Sequence, residues 1–461
     1  MKKQAAGVAL ADQIEQEVRT GKYKPGAVLG FEPDLIARYE AGRSVVRQAV
    51  LILEQRGIAY SRRGKGGGLV LAEPDPASAM RALSMVIGSQ LADFTDIAAL
   101  TSAADNHQFL NCAAHIELAA CDELDALMQK VEAMSDDEFV SAHGHGQIVN
   151  AFSNAFGDPA ATLAQRTGID YGTDLVPYAI FATESRRRGE FWELTKQLVA
   201  ALISGNVSQL FDLRMQQWRM SAKQLTPFGD LEHADKRIPE KIETKPSASE
   251  PQSSAERLSR EILRDIRQLH WKAGERIGGT DELLTRYGAS PNVLRQAVCI
   301  LEEYSAVEMQ RGRTGGLLIA IPDEAVAIQR AVAYLELVDV KPENIGKFII
   351  QLALEAINQS ATKLDRKRLP ELRAAIDRAK TPQPDQQQLR RDIYLAVTRL
   401  SGSPTLQLFV QLLLEYLSAH KSKPPAPSTP GVLDELFDAI LTGHTGKARR
   451  AFIQFSQADC R

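Results

Sequence analysis

The sequence predicts a mainly α-helical protein with two winged helix–turn–helix domains, each built from three helices and a β-hairpin wing and each followed by an all-α helical bundle. Three observations lead to this prediction. The chain has 461 residues, more than one hydrophobic core usually supports, which favours several domains. A stretch of about 60 residues occurs twice, 248 positions apart, as expected of a duplicated unit. The remainder has apolar residues at helical spacing, without the alternation typical of strands.

The composition excludes several classes of protein. Hydrophobic residues make up 44% and charged residues 25% of the chain, which are ordinary values for a globular protein. No apolar run approaches the roughly 18 residues of a membrane span, and the N-terminus lacks an apolar signal core. The four cysteines lack Cys-x-x-Cys spacing, which disfavours a metal or disulfide framework. We therefore expect a cytoplasmic protein with no membrane partner, no cofactor and no metal.

The repeat sets the domain boundaries. Residues 45–54 overlay residues 293–302, and roughly two dozen of the aligned positions in the two copies are identical. Prolines and charged residues with little apolar periodicity separate the copies, which is typical of a linker. We expect a first winged helix–turn–helix domain at 1–75, a first helical ligand-binding or dimerisation domain at 76–225, a linker at 226–254, a second winged helix–turn–helix domain at 255–323 and a second helical domain at 324–461.

The first copy contains three helical patterns in order. The first ends near Gly21, the second begins near Pro33, and a tight turn at 40–43 leads into the third. Their apolar faces are Leu10, Ile14 and Val18, then Leu35, Ile36 and Tyr39, then Val46, Ala49, Val50 and Leu53. Two short helices joined by a tight turn predict a helix–turn–helix.

A hairpin wing follows the third helix. Two short strand patterns, at 58–60 and 68–71, flank a glycine-rich stretch that carries three cations. Glycines and cations of this kind suit contact with phosphates or with the minor groove of DNA. We therefore expect this segment to approach the DNA backbone.

The first residues of the third helix are the predicted base-reading residues. A recognition helix places its N-terminal side chains on base edges in the major groove, and an arginine there can bond guanine bidentately. Any single arginine could equally be a solvated surface charge, but the combination with the wing favours DNA. The candidate DNA-binding residues are Arg43, Ser44, Arg47, Arg62, Arg63, Lys65 and Gly66 in the first copy, and Asn292, Arg295, Arg311 and Arg313 in the second.

Both copies resemble the winged helix–turn–helix of the GntR superfamily. The motifs that carry the resemblance are Gly21–Gly26, a Gly-x-x-x-Pro-Gly pattern, Gly42–Arg47 in the recognition helix, and the glycine-rich wing Gly64–Gly68. The resemblance implies that Arg43 and Arg47 contact DNA and that the tip at Lys65 and Gly66 enters the minor groove. It also implies transcription regulation, most commonly repression.

The two copies differ in charge. Pro291 replaces Arg43, and Thr280 replaces the early helical glutamate Glu32. Across the recognition helix and wing, the first copy has Arg43, Arg47, Arg56, Arg62, Arg63 and Lys65 against Glu54, and the second has Arg295, Arg311 and Arg313 against Glu302, Glu303 and Glu308. We expect the second copy to bind DNA more weakly or at a different half-site. The alternative is a domain retained for packing and dimer geometry.

The helical regions resemble, in position and length, the ligand-binding domain of the FadR branch of the superfamily. Metal-binding members of that branch carry an aspartate and three histidines. Counting from the turns at 156–159 and 401–404, those positions fall on His145, Val149, Thr195 and Gln217 in the first region, and on Arg390, Tyr394, Leu433 and Phe455 in the second. The metal set is therefore absent, and the effector, a small molecule such as a carboxylate, is not identified.

Three classes of function compete. The leading hypothesis is a regulator of double-stranded operator DNA whose fused halves mimic a homodimer and respond to a small-molecule effector. An enzyme of the transaminase-fused type would need a large α/β region, for which the second copy leaves no room. A ligand-independent scaffold that binds DNA constitutively is the alternative. Two chains could also pair through their helical domains.

Overall fold

The structure is a computed structural model of the chain. It describes residues 2–18, 23–62, 64, 67–115, 118–135, 144–175, 190–225, 254–268, 272–310, 312, 315–361, 363–381, 385–420 and 430–457. Five candidate DNA-binding residues lie outside these ranges, namely Arg63, Lys65, Gly66, Arg311 and Arg313. The predicted linker also lies outside them, except for its last residue. None of the helices in the described ranges is both long enough and apolar enough to cross a membrane.

The N-terminal domain is a three-helix unit with a small sheet. Its elements are α1 (Lys2–Glu17), β1 (Val28–Gly30), α2 (Glu32–Tyr39), α3 (Arg43–Gln55), β2 (Ala59–Arg62) and β3 (Gly68–Leu71). The strands are antiparallel in the order β1-β3-β2. The sequence predicted the β2–β3 hairpin but missed β1, because a three-residue strand is too short to show alternation. The hairpin therefore belongs to a three-stranded sheet, in which β1 lies beside β3.

The apolar faces predicted for α1 and α3 form the core of this domain. Leu10 and Ile14 from α1 meet Val46, Ala49 and Leu53 from α3, and all five are buried. The spacing of these residues places them on one side of each helix, so the opposite sides stay in water. The core thus presents the N-terminal end of α3 outward.

Residues 254–319, the central domain, repeat this architecture. The elements are α11 (Ser254–Gln268), β4 (Arg276–Gly278), α12 (Thr280–Tyr287), α13 (Pro291–Glu303), β5 (Val307–Gln310) and β6 (Gly316–Ile319). The strand order is β4-β6-β5. Even the register repeats, since Ala59 pairs with Leu71 where Val307 pairs with Ile319.

A second local contact repeats as well. The Tyr39 hydroxyl donates to Glu17 Oε2 over 3.1 Å, and the corresponding Tyr287 hydroxyl donates to Asp265 Oδ2 over 2.6 Å. Each bond ties the end of the second helix to the end of the first. The same backbone is therefore held by the same device in both domains.

Helices make up both remaining regions in the described residues. The first helical domain contains α4 (Ala77–Ser89), α5 (Phe94–His115), α6 (Leu118–Glu132), α7 (Gly144–Asn154), α8 (Pro159–Leu175), α9 (Glu190–Ile203) and α10 (Val207–Leu225). The second contains α14 (Glu324–Leu337), α15 (Pro342–Ser360), a 3-10 turn (Arg366–Arg368), α16 (Leu369–Ala379), α17 (Gln386–Arg399), α18 (Pro404–Ala419), α19 (Pro430–Leu441) and α20 (Thr445–Gln457). The fold is mainly helical, as predicted.

The two helical domains pack against each other through matching elements. Helix α4 contacts α14, and α5 contacts α15, while α5 also reaches α18 and α8 reaches α15. Contacts between equivalent elements are the pattern of a two-fold, isologous interface. The two helical domains therefore contact each other through equivalent helices.

The hydrophobic cores divide unevenly. The core of the central domain is continuous with both α4–α5 and the second helical domain, whereas the N-terminal domain has a core of its own. The outer part of the first helical domain forms a further separate core around Phe109, Leu124 and Leu202. The N-terminal domain is thus joined to the rest by a limited contact.

Candidate nucleic-acid interface

The turn between α2 and α3 exposes the start of α3. Glu40 adopts a left-handed conformation, with φ of 47°, and its N–H donates to Ile36 O to close α2. Gly42 is extended and precedes the first residue of α3. This abrupt change of direction makes Arg43, Ser44 and Arg47 exposed neighbours on one face. That face is the one that a recognition helix turns toward DNA.

Glu32, the first residue of α2, pairs with both arginines. Its Oε1 lies 3.1 Å from Arg43 Nε, and its Oε2 lies 3.0 Å from Arg47 Nε. The arginine side chains are 71% and 66% exposed, so water screens both pairs and each is worth at most about 1 kcal/mol. Glu32 therefore orients the two guanidinium groups without making them unavailable to a stronger acceptor.

A groove separates this face from the wing. Its lining includes Phe31, Glu32, Arg47, Arg62 and Gly64. Arg62 is exposed at the end of β2. The groove thus brings together two of the predicted DNA-binding arginines, from α3 and from the wing strand.

A carboxylate from the recognition helix holds each wing. Glu54 Oε1 accepts from the N–H of Ser61 over 2.8 Å, and Glu302 Oε1 accepts from the N–H of Met309 over 3.0 Å. The sequence alone suggested that both glutamates weaken DNA binding through their negative charge. They have instead an equivalent positioning role in both domains.

Arg56 and Glu303, which the sequence predicted to lie near DNA, pair with each other instead. Both side chains are about nine-tenths buried and pair at 2.9 Å, at the contact between the N-terminal and central domains. Arg56 also pairs with Asp12 and Glu15. Burial works against the charge on Arg56, but Glu303 and the other two carboxylates raise its pKa above the ordinary value. Neither residue belongs to a DNA-facing surface.

The corresponding face of the central domain is differently equipped. Pro291 begins α13, and the Ser290 hydroxyl caps that helix by accepting from the N–H of Val293 over 3.4 Å. Arg295 Nη2 donates to Asn292 Oδ1 over 2.8 Å, and both residues are exposed. The guanidinium group here is held by a neutral amide.

Sequence reasoning missed a cation of the central domain. Arg276, at the start of β4, donates from Nε to Gly315 O over 3.1 Å, and its Nη2 lies 2.9 Å from Glu282 Oε2. The bond from the Gly279 N–H, followed by the charge of Arg276, lowers the pKa of Glu282. The alignment of the two copies could have revealed Arg276, because the uncharged Val28 occupies the corresponding position in the first copy. The nearby carboxylate offsets the added charge.

The counted metal positions are occupied by other chemistry. In the first helical domain Gln217 Nε2 donates to Thr195 Oγ1 over 2.8 Å, while Arg214 binds Gln217 Oε1 and Asp105 Oδ2. In the second, Leu433 and Phe455 are buried apolar residues. The side chains of His145 and Val149 lie outside the described part of the chain. The positions of Thr195 and Gln217 are therefore polar in the first helical domain and apolar in the second.

The second helical domain also buries its two earlier positions. The guanidinium group of Arg390 lies over the Phe455 ring, 4.9 Å from its centroid, and the Tyr394 hydroxyl bonds Ser456 over 3.3 Å. These contacts join α17 to α20.

The family model of bacterial regulatory proteins, gntR family, matches residues 7–68. The N-terminal domain is therefore a winged helix–turn–helix domain of that family of DNA-binding regulators. Solved structures similar to the chain include Streptococcus agalactiae GntR, at 13% identity and a TM-score of 0.32, covering 44% of this chain and 97% of that chain. Another is E. coli McbR/YncC, at 16% identity and a TM-score of 0.19, covering 45% and 96%. A search of curated proteins found no match.

Proposed function

We propose that this chain is a sequence-specific transcription repressor in which two gntR-type units are fused into a pseudo-dimer. The observation that carries the proposal is the repeated strand register of the N-terminal and central domains, together with the pairing of α4 with α14 and of α5 with α15. A homodimeric regulator offers two DNA-binding domains related by a two-fold axis. The fused chain offers the same arrangement within one molecule.

The N-terminal domain is the primary DNA-contacting domain in this proposal. Arg43 and Arg47 lie exposed at the start of α3, and Arg62 lies across the groove from Arg47. An arginine at this position can bond guanine O6 and N7, while wing cations neutralise phosphates. The central domain, with Arg295 and Asn292 in the equivalent place, reads a second and weaker half-site.

Footprinting of the full chain on selected DNA tests the pseudo-dimer. We expect protection of two half-sites whose centres are about 10 base pairs apart, bound by one chain, with stronger sequence preference in one half. Arg47→Ala should weaken protection of the preferred half, and Arg295→Ala should weaken protection of the other half. Protection of a single half-site that Arg295→Ala leaves unchanged would contradict the proposal and favour a purely structural central domain.

A specific observation supports that alternative. The core of the central domain runs without interruption into both helical domains, as expected of a domain that serves packing. The footprint of Arg295→Ala therefore decides between a second DNA-binding domain and a scaffold element.

We place the effector in the first helical domain. Its interior holds the cluster of Asp105, Arg214, Gln217 and Thr195, and convergent polar groups inside a helical domain are typical of ligand sites. In the second helical domain the positions that match Thr195 and Gln217 are the apolar residues Leu433 and Phe455. An effector selected because it releases the chain from DNA should release the Arg214→Met variant less well. The same effector should still release Arg391→Met, a variant on the second helical domain, as well as it releases the unchanged chain. Equal responses of the two variants would overturn this placement.

A further inference from the structure

An exposed phenyl ring lies in the groove between α3 and the wing of the N-terminal domain. Phe31 directly precedes α2, is 45% exposed, and lines this groove together with Arg47 and Arg62. A single exposed apolar side chain is ordinary on a protein surface. This one, however, is placed among the arginines that we propose to contact DNA.

The fold does not require an aromatic residue at this position. The described residues that form the core of the N-terminal domain do not include Phe31. The corresponding residue of the central domain, Gly279, has nearly the same backbone conformation, with φ and ψ of −77° and 168° against −84° and 165° for Phe31. The N–H of Phe31 donates to Asp34 over 2.9 Å, and the N–H of Gly279 donates to Glu282 over 2.6 Å. Because the helix start needs only these backbone groups, the ring is available for a contact outside the fold.

The central domain has a charge pair beside the equivalent position. A Cβ added to Gly279 would lie 3.0 Å from Arg276 Nη2 and 3.7 Å from Glu282 Oε2. These two side chains pair with each other over 2.9 Å. In the N-terminal domain Val28 corresponds to Arg276. The two domains therefore offer different surfaces at the same place, one apolar and one charged.

We propose that Phe31 contacts the methyl group of a thymine in the preferred half-site and determines part of its sequence. The C5-methyl group of thymine is the apolar group that base pairs present in the major groove, and phenylalanine is one of the side chains that contact it. The positive charges of Arg47 and Arg62 on the groove favour DNA over an apolar peptide as its occupant. This inference rests on the proposed function, because it assigns one base to the half-site that the N-terminal domain binds.

The test replaces each thymine of the preferred half-site, one at a time, by deoxyuridine, which lacks only the methyl group. At one position the full chain should bind the modified DNA roughly threefold to fivefold more weakly, as expected for the loss of one buried methyl group. Phe31→Ala should bind the thymine DNA more weakly than the unchanged chain does, and it should bind the thymine and uracil DNAs equally well. Gel-shift titration measures the four affinities, which form a double-mutant cycle between the ring and the methyl group.

Two further variants are controls. Phe31→Leu keeps an apolar side chain and should retain part of the response to uracil. Leu110→Ala removes an exposed apolar side chain from α5, where Leu110 is 71% exposed, and it should respond as the unchanged chain does.

Specific binding in which no thymine responds to uracil would overturn the proposal and leave the proposed function intact. The proposal is also overturned if Phe31→Ala responds to uracil as strongly as the unchanged chain, and any affinity that this variant has lost would then belong to a contact with the DNA backbone. Binding without any sequence preference would instead overturn the proposed function, and this inference with it.

Discussion

The N-terminal and central domains share a backbone and differ in their attachment. Both have three helices, a three-stranded sheet and a glutamate that holds the wing. The central domain continues into the large core, whereas the N-terminal domain has a separate core and meets α14 across a cavity. In the pseudo-dimer that we propose, the two units need not be identical. One unit can then be adapted to DNA while the other is built into the framework.

The N-terminal and central domains also differ at their recognition helices. Glu32 contacts two exposed arginines in the N-terminal domain, while the central domain has Thr280 and Pro291 at the corresponding positions and one arginine on Asn292. The difference lies in exposed side chains, which fold stability constrains weakly. Folding therefore does not require the arginine pair, which supports the DNA-binding role that we propose for it.

The largest expected effect concerns the ion pairs that attach the N-terminal domain to the central domain. Arg56→Met removes the cation between Glu15 and Glu303, and it should lower the free energy of unfolding by about 3 kcal/mol because buried carboxylates lose their partner. Arg330 still pairs with Glu303. The expected loss is therefore near the lower end of the range of about 3 to 5 kcal/mol for a broken buried ion pair. Thermal and denaturant unfolding measure it.

Arg43→Ala is the matched control for this change. Its side chain is 71% exposed, so the unfolding free energy should change by less than about 0.5 kcal/mol. Adding Glu15→Gln to Arg56→Met should restore part of the stability, since the carboxylate of Glu15 loses its cation when Arg56 is replaced. Additive losses in the double variant would mean that the two residues do not interact.

The next effect separates the two recognition helices. Arg47→Ala should weaken specific DNA binding by about 1 to 3 kcal/mol if Arg47 contacts a base. Arg295→Ala should weaken it less, because it leaves the arginine pair of the N-terminal domain intact. Gel-shift titration of both variants on the same operator compares them, and the reverse ranking would make the central domain the primary one.

Much of the fold followed from local patterns. Helical spacing placed the buried faces of α1 and α3, and Pro33 marked the first turn of α2, where its missing N–H has no cost. The sequence did not predict β1, because its three residues can be recognised as a strand only from their pairing with β3. Local signals thus identify elements that are long enough to carry a period.

The candidate site was harder to predict than the helices. Charged residues that pair in the folded protein show no regular spacing in the sequence. The sequence counted Arg56 with the DNA-facing cations and Glu303 with the opposing anions, but the two pair with each other away from DNA. Their positions differ by 247 residues, a separation at which only the tertiary fold brings side chains together. The Thr195–Gln217 bond between α9 and α10 is another contact of this kind.

A smaller effect is expected at Glu32. Glu32→Gln removes the carboxylate charge beside both arginines, so non-specific DNA affinity should rise several-fold, up to about tenfold, and the slope of log affinity against log salt should steepen by about 0.9. Fluorescence anisotropy over a salt series measures both quantities. Glu73→Gln, at an exposed position outside the groove, is the control, and equal slopes for the two variants would mean that Glu32 does not act on DNA binding.

The smallest effect concerns how the two recognition helices begin. Ser290→Ala removes the cap of α13 and should destabilise the chain by about 1 kcal/mol. Gly42→Ser offers α3 the equivalent hydroxyl, and a Cβ at Gly42 would meet no atom within 4 Å, so stability should change by only a few tenths of a kcal/mol. If Ser290→Ala also weakened DNA binding as much as Arg295→Ala, the start of α13 would have to lie on DNA. If binding is unchanged, the cap serves the framework, which is the role that the continuous core of the central domain indicates.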